Sequence, residues 1–310
     1  MKIRALLLPV IVVVLTAAAF PADPPDFTIQ PVGDGVYAAT SGDGSKAGSN
    51  AGFIVGTRCV AVVDTFVSPA AAKELMTEIH KITDLPVRYV INTHYHLDHT
   101  GGNAVFAEAG ATIIAHGNVR GWLRTENLKF FGPTPKPEDK AMVEALVLPD
   151  VVYTDGLEID LGSKMVQVRY MLGHTGGDSV VFVPSAKVVF TGDLFWEHHL
   201  PNLIDASTEP WIQTLDKLLA EQKSATFVSG HGGLGVASDV RDFRGYLIAL
   251  REAVGKAQSE GKSGADLQTA AAAALSEKYG KWGFYEHFVK RNIDQTAAEL
   301  KGSKKIPVAK

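Results

Sequence analysis

The segment from Thr93 to Asn103 concentrates side chains that bind metal ions. It reads Thr-His-Tyr-His-Leu-Asp-His-Thr-Gly-Gly-Asn, so His94, His96, Asp98 and His99 fall within six residues. Imidazole nitrogens and carboxylate oxygens are common ligands of zinc and related cations. Because residues two apart in an extended segment point the same way, His94 and His96 are predicted to bind one ion. Asp98 and His99 then turn toward a neighbouring position.

The motif alone would be weak evidence for a metal site, but three further ligand-type residues strengthen that interpretation. His174 lies in Gly-His-Thr-Gly-Gly-Asp, Asp193 in Thr-Gly-Asp and His231 in Gly-His-Gly, each after a short strand-like run. Flanking glycines let the backbone approach a site closely. Ligand sites collect at strand ends in open α/β sheets. The sequence therefore predicts one metal centre assembled from four strand ends.

Taken together, the four motifs resemble those of the metallo-β-lactamase superfamily of dinuclear metal hydrolases. The resemblance extends over roughly residues 27–235 and fills every ligand position of the family's pattern. It implies two metal positions that share one carboxylate. The implied ligands are His94, His96 and His174 for the first metal, Asp98, His99 and His231 for the second, and Asp193 as the bridge.

The same resemblance implies the cofactor and the chemistry. Two Zn²⁺ ions are expected, with iron or manganese as open alternatives. A metal-bridging hydroxide would attack the substrate, and Asp98 would be the catalytic residue that orients it. No serine or cysteine nucleophile is needed.

Fold class follows from strands that recur in both halves of the chain, separated by helical stretches. Alone, this pattern indicates only an α/β or α+β protein. With the resemblance it implies an α+β fold, the four-layer αβ/βα sandwich. The expected organisation is a signal peptide over 1–19, a catalytic domain over 27–235 and a helical extension over 236–310 that packs on it.

The N-terminal residues predict export. Lys2 and Arg4 precede an apolar run over 5–19, and the small residues 17–19 suit a cleavage site. That run of about 15 residues is shorter than the ~20 that a spanning helix needs. We therefore expect a periplasmic or secreted protein without stable membrane insertion. N-terminal sequencing of the exported protein should find cleavage after Ala19, and a cytoplasmic chain that still begins at Met1 would contradict this prediction.

The composition of the chain indicates which kinds of binding partner to expect. A net charge of -4 without a basic block favours a small-molecule substrate over nucleic acid. Cys59 is the single cysteine, so an intramolecular disulfide is excluded. The oligomeric state and the physiological substrate have no signature in the sequence.

Substrate class rests on the bridging position. Two-zinc metallo-β-lactamases generally carry cysteine or serine there, whereas Asp193 is more similar to glyoxalase II, lactonases and other ester or thioester hydrolases. A lysine that would bind a substrate carboxylate is also missing, since Leu194-Phe195-Trp196 follow. These features favour a secreted hydrolase of an ester, thioester, lactone or related acyl substrate. β-Lactam hydrolysis is the first alternative, and a metal-dependent oxidoreductase of the same fold is the second.

Other residues are candidates for supporting roles. By the resemblance, Asp64 supports the metal loops from a strand end. A loop that starts at Leu194 is expected to overhang the metals, which would let His198 or His199 contact substrate or shuttle protons. His116 has no matching ligand position and is a weaker candidate for a supporting role.

An aromatic and proline-rich insertion over 117–146 has two interpretations. It can wall a substrate pocket, in which case Phe130 contacts the substrate, or it can merely cover a core. If it walls the pocket, Arg124 or Lys129 could supply the missing positive charge. Further along, the aromatic residues 282–288 are expected to dock the helical tail onto the body.

Overall fold

A computed structural model describes residues 26–307 of the chain. The expected signal peptide, residues 1–19, lies outside the described part. Within residues 26–307, no helix combines the length and the apolar character that a membrane span requires.

The first sheet has seven strands that lie in the order in which they occur in the chain. Its strands are β1 (Thr28–Gly33), β2 (Val36–Thr40), β3 (Ala51–Val55), β4 (Val60–Val63), β5 (Val87–Ile91), β6 (Thr112–His116) and β7 (Val151–Tyr153). Pairing is antiparallel from β1 to β4 and parallel from β4 to β7. The parallel strands therefore deliver their carboxyl ends to one edge of the sheet.

The second sheet has six strands in the order β13-β12-β11-β10-β9-β8. They are β8 (Gly156–Asp160), β9 (Met165–Tyr170), β10 (Ser179–Val183), β11 (Val188–Trp196), β12 (Thr226–His231) and β13 (Leu234–Gly235). Only β11 and β12 pair in parallel, while the other neighbours are antiparallel.

Nine α-helices occur within residues 26–307, together with short 3₁₀ turns. They are α1 (Pro69–Ile82), α2 (Leu97–Thr100), α3 (Asn103–Glu108), α4 (Gly117–Trp122), α5 (Pro137–Glu144), α6 (Thr208–Glu221), α7 (Ala237–Ser259), α8 (Gly264–Tyr279) and α9 (Tyr285–Leu300). Ser68 begins α1 as its N-cap, because its hydroxyl accepts the Ala71 N–H and Pro69 follows at the first helical position.

Successive residues of a strand face opposite sides of its sheet, so each sheet borders two hydrophobic cores. In β4, Ala61 and Val63 contact the apolar residues between the two sheets, whereas Val60 and Val62 contact α1 and α3 on the outside. Strand β10 divides its residues in the same way between the inter-sheet core and a core with α6 to α9. Two sheets packed face to face with helices outside confirm the predicted four-layer αβ/βα sandwich.

Candidate metal centre

Seven predicted residues meet at one edge of the sandwich, in two adjacent groups. The ligand atoms within each group lie within 4.8 Å of one another. The first group is His94, His96, His174 and Asp193, and the second is Asp98, His99 and His231. Six of the seven residues are buried, and Asp98 is partly exposed. The grouping matches the two metal positions that the resemblance implied.

Asp193 lies between the two groups, with one oxygen toward each. Its Oδ2 is 3.2 Å from His174 Nε2 and 3.7 Å from His94 Nε2. Its Oδ1 is 3.0 Å from His99 Nε2 and 3.4 Å from His231 Nε2. A carboxylate placed this way can bind one cation with each oxygen.

Several of these atoms have no hydrogen-bond partner although they are fully buried. They are Nε2 of His94, His99 and His231, and Oδ1 of Asp193. Buried polar atoms left unpaired destabilise a fold, so a group of four at one place indicates a bound ion. Imidazole and carboxylate without cysteine suit zinc, iron or manganese. The residues present therefore fit two divalent cations.

Neighbouring oxygens select which nitrogen each histidine presents. Asp64 accepts the His99 Nδ1–H at 2.8 Å, and it also accepts the Thr93 N–H at 2.8 Å and hydroxyl at 2.7 Å. The Thr93 hydroxyl oxygen in turn lies 3.1 Å from His94 Nδ1. Both imidazoles then present the Nε2 lone pair to the centre. Asp64 thus lies where the resemblance implied, behind the metal loop.

His96 is held in the opposite orientation by a residue that the sequence analysis missed. Its Nε2 lies 3.2 Å from Oδ2 of Asp205, and its Nδ1 lies 3.0 Å from His174 Nε2. His96 therefore presents Nδ1 to the centre. Asp205 is buried in the segment between β11 and α6, and no motif surrounds it.

Electrostatics favour the metal-binding form of some of these residues and the protonated form of others. Burial lowers the pKa of His174 to about 3, which keeps this imidazole neutral. Burial alone would raise the pKa of Asp193, but the charges of His231 and His99 outweigh it and hold that pKa well below its usual value. His174 and Asp193 therefore offer a neutral imidazole and an ionised carboxylate to a cation. His231 differs: burial lowers its pKa, but Asp193 and Asp98 outweigh burial and raise that pKa to about 9, so this imidazole releases a proton when a metal binds.

Two glycines allow the strands to approach so closely. Gly192 has φ +50°, and a Cβ there would lie 2.4 Å from Thr93 Oγ1. A Cβ on Gly230 would lie 2.0 Å from Oδ1 of Asp193. Any larger residue at these positions would displace the metal loop or the carboxylate between the two groups.

A cavity of about 400 Å³ opens on both groups. His96, Asp98, Asp193 and His231 form its floor. Its walls are Val67, Leu97, Phe130, Trp196, Asn202, Phe284, His287 and Phe288. The described residues that line it include neither lysine nor arginine. The cavity is therefore apolar except at the metal ligands, one amide and one imidazole.

The family model of the metallo-β-lactamase superfamily matches residues 45–231. This match covers more than half of the chain and contains all seven ligand-type residues. The chain belongs to the metallo-β-lactamase superfamily. The resemblance inferred from the motifs is thereby confirmed.

Relatives within the superfamily differ in their named activities. A metallo-β-lactamase type 2 of Bacteroides fragilis is 26% identical over 192 residues, which are 60% of this chain and 70% of that protein. A hydroxyacylglutathione hydrolase of Brucella anthropi is 30% identical over 144 residues, 46% of each protein. A linear primary-alkylsulfatase of a Pseudomonas species is 23% identical over 52% of this chain and 37% of that protein.

A solved structure supports the fold. The metallo-β-lactamase from Pontibacter korlensis superposes with a TM-score of 0.57 at 21% identity, over 72% of this chain and 99% of that chain. At this identity the likeness concerns the fold alone. The superfamily comprises metal-dependent hydrolases.

The segment after Asp193 differs from the prediction. We expected a loop from Leu194, but β11 continues to Trp196, because a bulge at Gly192 lets the strand resume its pairing until Trp196 meets His231. Leu194 and Phe195 are consequently buried in the core with α6 to α9. Only Trp196 of this run faces the cavity, where its ring stacks on His231 at 3.9 Å.

The two histidines of the following turn are directed away from the cavity. His198 contacts the Glu197 carboxylate and the ring of Trp282. His199 Nδ1 lies 2.6 Å from the Glu197 carbonyl oxygen, and its Nε2 lies 2.8 Å from Asp43 Oδ1. Neither lines the cavity, so the geometry does not support the substrate contact that we considered for them.

His116 is also outside the centre. Its Nδ1 accepts the Asn118 N–H at the start of α4, and its ring stacks on Tyr170 at 4.3 Å. These contacts give it a structural role at the helix terminus.

The aromatic insertion does wall the pocket, but it contributes no positive charge. Phe130 lines the cavity and packs edge-on against His96 at 4.9 Å. Arg124 donates to the Leu146 carbonyl oxygen, and Lys129 is paired with Asp205. The idea that either cation replaces the missing lysine is wrong for this arrangement, because each is already held by another partner and neither lines the cavity.

The opposite wall comes from the C-terminal helices. Phe284, His287 and Phe288 line the cavity, whereas the sequence analysis expected the aromatic residues here only to dock the tail. The docking itself is present, since Phe288 and Tyr285 belong to the core shared with β11. An amphipathic pattern indicates that a helix face is buried, but it does not reveal that the face also borders a cavity.

Proposed function

We propose that this chain is a hydrolase with two Zn²⁺ ions, acting on uncharged, partly apolar esters, thioesters or lactones. The observation that carries the proposal is Asp193, whose two oxygens face the two ligand groups beneath an apolar cavity without lysine or arginine. The export expected from residues 1–19 would place this activity in the periplasm or outside the cell.

Two bound zinc ions would supply an acidified water and Lewis-acid activation of the scissile bond. Asp98 contributes the side chain suited to proton transfer. It is 30% exposed, lines the cavity and lies 3.3 Å from His231 Nε2 through its Oδ2. It can orient the attacking water, accept its proton and return that proton to the leaving group.

The cavity walls bind and shield the substrate. Phe130 lies on one side and Phe284 and Phe288 on the other, so an acyl group of matching size is enclosed by rings and separated from water. Asn202 offers one amide to a carbonyl or hydroxyl group. This enclosure supports an apolar acyl group as the part of the substrate that the protein selects.

The protein itself supplies no cation for an anionic substrate. No lysine or arginine lines the cavity in the described part of the chain, and Asp193 adds one negative charge relative to the serine found at this position in other enzymes of the superfamily. Away from the two metal ions, the carboxylate of a β-lactam antibiotic would therefore meet only apolar walls. Among the relatives, one is named as a hydrolase of hydroxyacylglutathione, which supports acyl chemistry.

One zinc-loaded preparation assayed on ester, thioester, lactone, phosphodiester and β-lactam substrates tests the proposal. We expect at least one neutral ester, thioester or lactone to give a higher kcat/KM than any penicillin, cephalosporin or carbapenem. A matched pair sharpens the assay: one neutral ester and its analogue with a carboxylate on the acyl group, of which the neutral compound should react faster. Metal analysis of the same sample should find two zinc ions per chain.

β-Lactam hydrolysis is the second candidate. It is favoured by the match to the Bacteroides fragilis metallo-β-lactamase over 70% of that protein. If a β-lactam is the best substrate of the panel, this candidate replaces the first. A single iron ion without hydrolysis of any substrate would instead favour an oxidoreductase, which the complete second group of Asp98, His99 and His231 argues against.

A further inference from the structure

We propose that Asp205 positions His96 for metal binding, and that the residues after α9 hold Asp205 in place through Lys304. The inference goes beyond the proposed function, since it concerns how firmly a cation is held and not which substrate reacts. It assigns a role in the metal centre to residues at the far end of the chain.

The first step is the contact between Asp205 and His96. Because Asp205 Oδ2 lies 3.2 Å from His96 Nε2, that nitrogen carries the hydrogen and Nδ1 carries the lone pair. Asp64 does the same for His99 through the other nitrogen, at 2.8 Å. Each ligand group therefore contains one histidine that a buried carboxylate contacts directly. Such partners orient the ring and raise its basicity toward a metal.

The second step is that Asp205 is itself fixed. Its Oδ2 also accepts the Tyr95 hydroxyl, and its Oδ1 lies 2.5 Å from Lys129 Nζ. Lys129 Nζ is 3.0 Å from the same hydroxyl. Asp205 and Tyr95 are buried. The Tyr95 hydroxyl and the Lys129 ammonium are thus two donors that fix the direction of this carboxylate toward His96.

The third step concerns the segment that carries Asp205, which the C-terminal residues clamp. Lys304 Nζ donates to the carbonyl oxygens of Leu203 and Ala206, both at 2.6 Å, on either side of Asp205. Before this segment, Asn292 of α9 donates to the Pro201 carbonyl oxygen at 2.9 Å.

Beyond the segment, Glu299 of α9 accepts the Thr208 N–H and hydroxyl at 2.9 Å. Arg251 of α7 reaches the same carboxylate at 3.2 Å. The match to the superfamily model ends at residue 231, so the clamp comes from a part of the chain outside that match. On the path from Lys304 to His96, only His96 and the Asp205 segment lie within the family match, whereas Lys304 lies outside it.

Zinc retention tests the inference without any substrate. The zinc-loaded full chain is dialysed against increasing concentrations of a chelator, and zinc per chain is counted. For Asp205→Asn we expect one of the two ions to leave at a chelator concentration at least about tenfold lower than in the wild type. This is the loss of affinity expected when a histidine ligand loses its hydrogen-bond partner. The midpoint of the other ion should stay at its wild-type value.

Asp64→Asn is the matched comparison, because it removes the equivalent partner of His99. It should shift mainly the ion that Asp205→Asn leaves unchanged, with a smaller effect on the other ion because Asp64 also holds Thr93 beside His94. The double variant should shift both ions by the larger factor. If Asp205→Asn shifts neither ion, or shifts both ions equally, the inference is overturned. Where the wild type holds a single ion, the dinuclear proposal fails, and the inference then requires that this one midpoint shift.

Lys304→Met tests the clamp, with Lys305→Met as its control, since Lys305 is an exposed neighbour of the same charge. Lys304→Met should shift the same ion as Asp205→Asn, by a smaller factor, while Lys305→Met should match the wild type. Equal behaviour of the two lysine variants contradicts the clamp. The melting temperature of each metal-free variant distinguishes a positioning effect from general destabilisation. If zinc is lost only in variants whose melting temperature is also lower, the proposal is overturned.

Discussion

Asp193→Ala is expected to cost the protein its metal pair and most of its hydrolytic rate. The substitution removes both oxygens that face the two ligand groups, and a gap remains where Gly230 now approaches the carboxylate. We expect zinc to fall from two ions to one or none per chain. Because Lewis-acid stabilisation by the metals is worth several kcal/mol, kcat/KM should fall by about a thousandfold or more.

Metal analysis after dialysis and steady-state kinetics on the best ester of the panel measure these effects. Asp84→Ala is a suitable control, since Asp84 is an exposed aspartate on the turn after α1. It should retain both ions and the wild-type rate. An Asp193→Ala protein that keeps two zinc ions and hydrolyses the ester normally would falsify the role of Asp193 as the shared ligand.

Asp98→Asn is expected to have the second largest effect. The amide keeps the size of the side chain and one oxygen toward His231, but it can no longer accept a proton. General acid–base groups contribute about 10²–10⁴-fold, so kcat at saturating zinc should fall by that factor. KM should change much less, because the aromatic walls that we propose to bind the acyl group are unaltered.

Leaving-group dependence distinguishes proton transfer from a loss of metal. Two esters of the same acid are compared at saturating zinc, one with a phenolic and one with an alkyl alcohol leaving group. The alkyl ester should suffer more in Asp98→Asn, since its alkoxide needs a proton and a phenolate does not. Equal loss for both esters with full zinc content would argue against Asp98 as the proton donor.

The seven ligand-type residues could be predicted because each lies in a short motif at the end of a strand. His94, His96, Asp98 and His99 are almost contiguous, and His174, Asp193 and His231 are each next to glycine. Strand ends on one sheet edge converge, so local motifs translate into spatial proximity. The two groups in the structure follow directly from this rule.

Asp205 could not be predicted in the same way. It lies 109 residues from His96 in the sequence, and no glycine or motif marks it. Its role depends on how the segment after β11 folds back, and that path is set by contacts with α9 and Lys304. An aspartate in an apolar stretch indicates a buried carboxylate that needs a polar partner, but the sequence does not show which residue that partner is.

The end of β11 was predicted wrongly for a related reason. Asp193 ends a motif, and motifs at strand ends usually precede loops. Here Gly192 adopts φ +50° and forms a bulge, after which pairing with β12 resumes up to Trp196. A bulge inserts an extra residue without ending the strand, and the only mark of it in the sequence is a glycine.

Different parts of α9 serve two purposes, one at the cavity and one at the segment that carries Asp205. Its first turn presents His287 and Phe288 to the cavity, while Asn292 and Glu299, further along, hold the segment that carries Asp205. Mutations in the first turn can therefore alter which molecules fit without disturbing the ions, whereas the later positions are constrained by the catalytic machinery. The beginning of that helix is therefore the part of α9 where a substitution can change the shape of the cavity without removing a contact to the Asp205 segment.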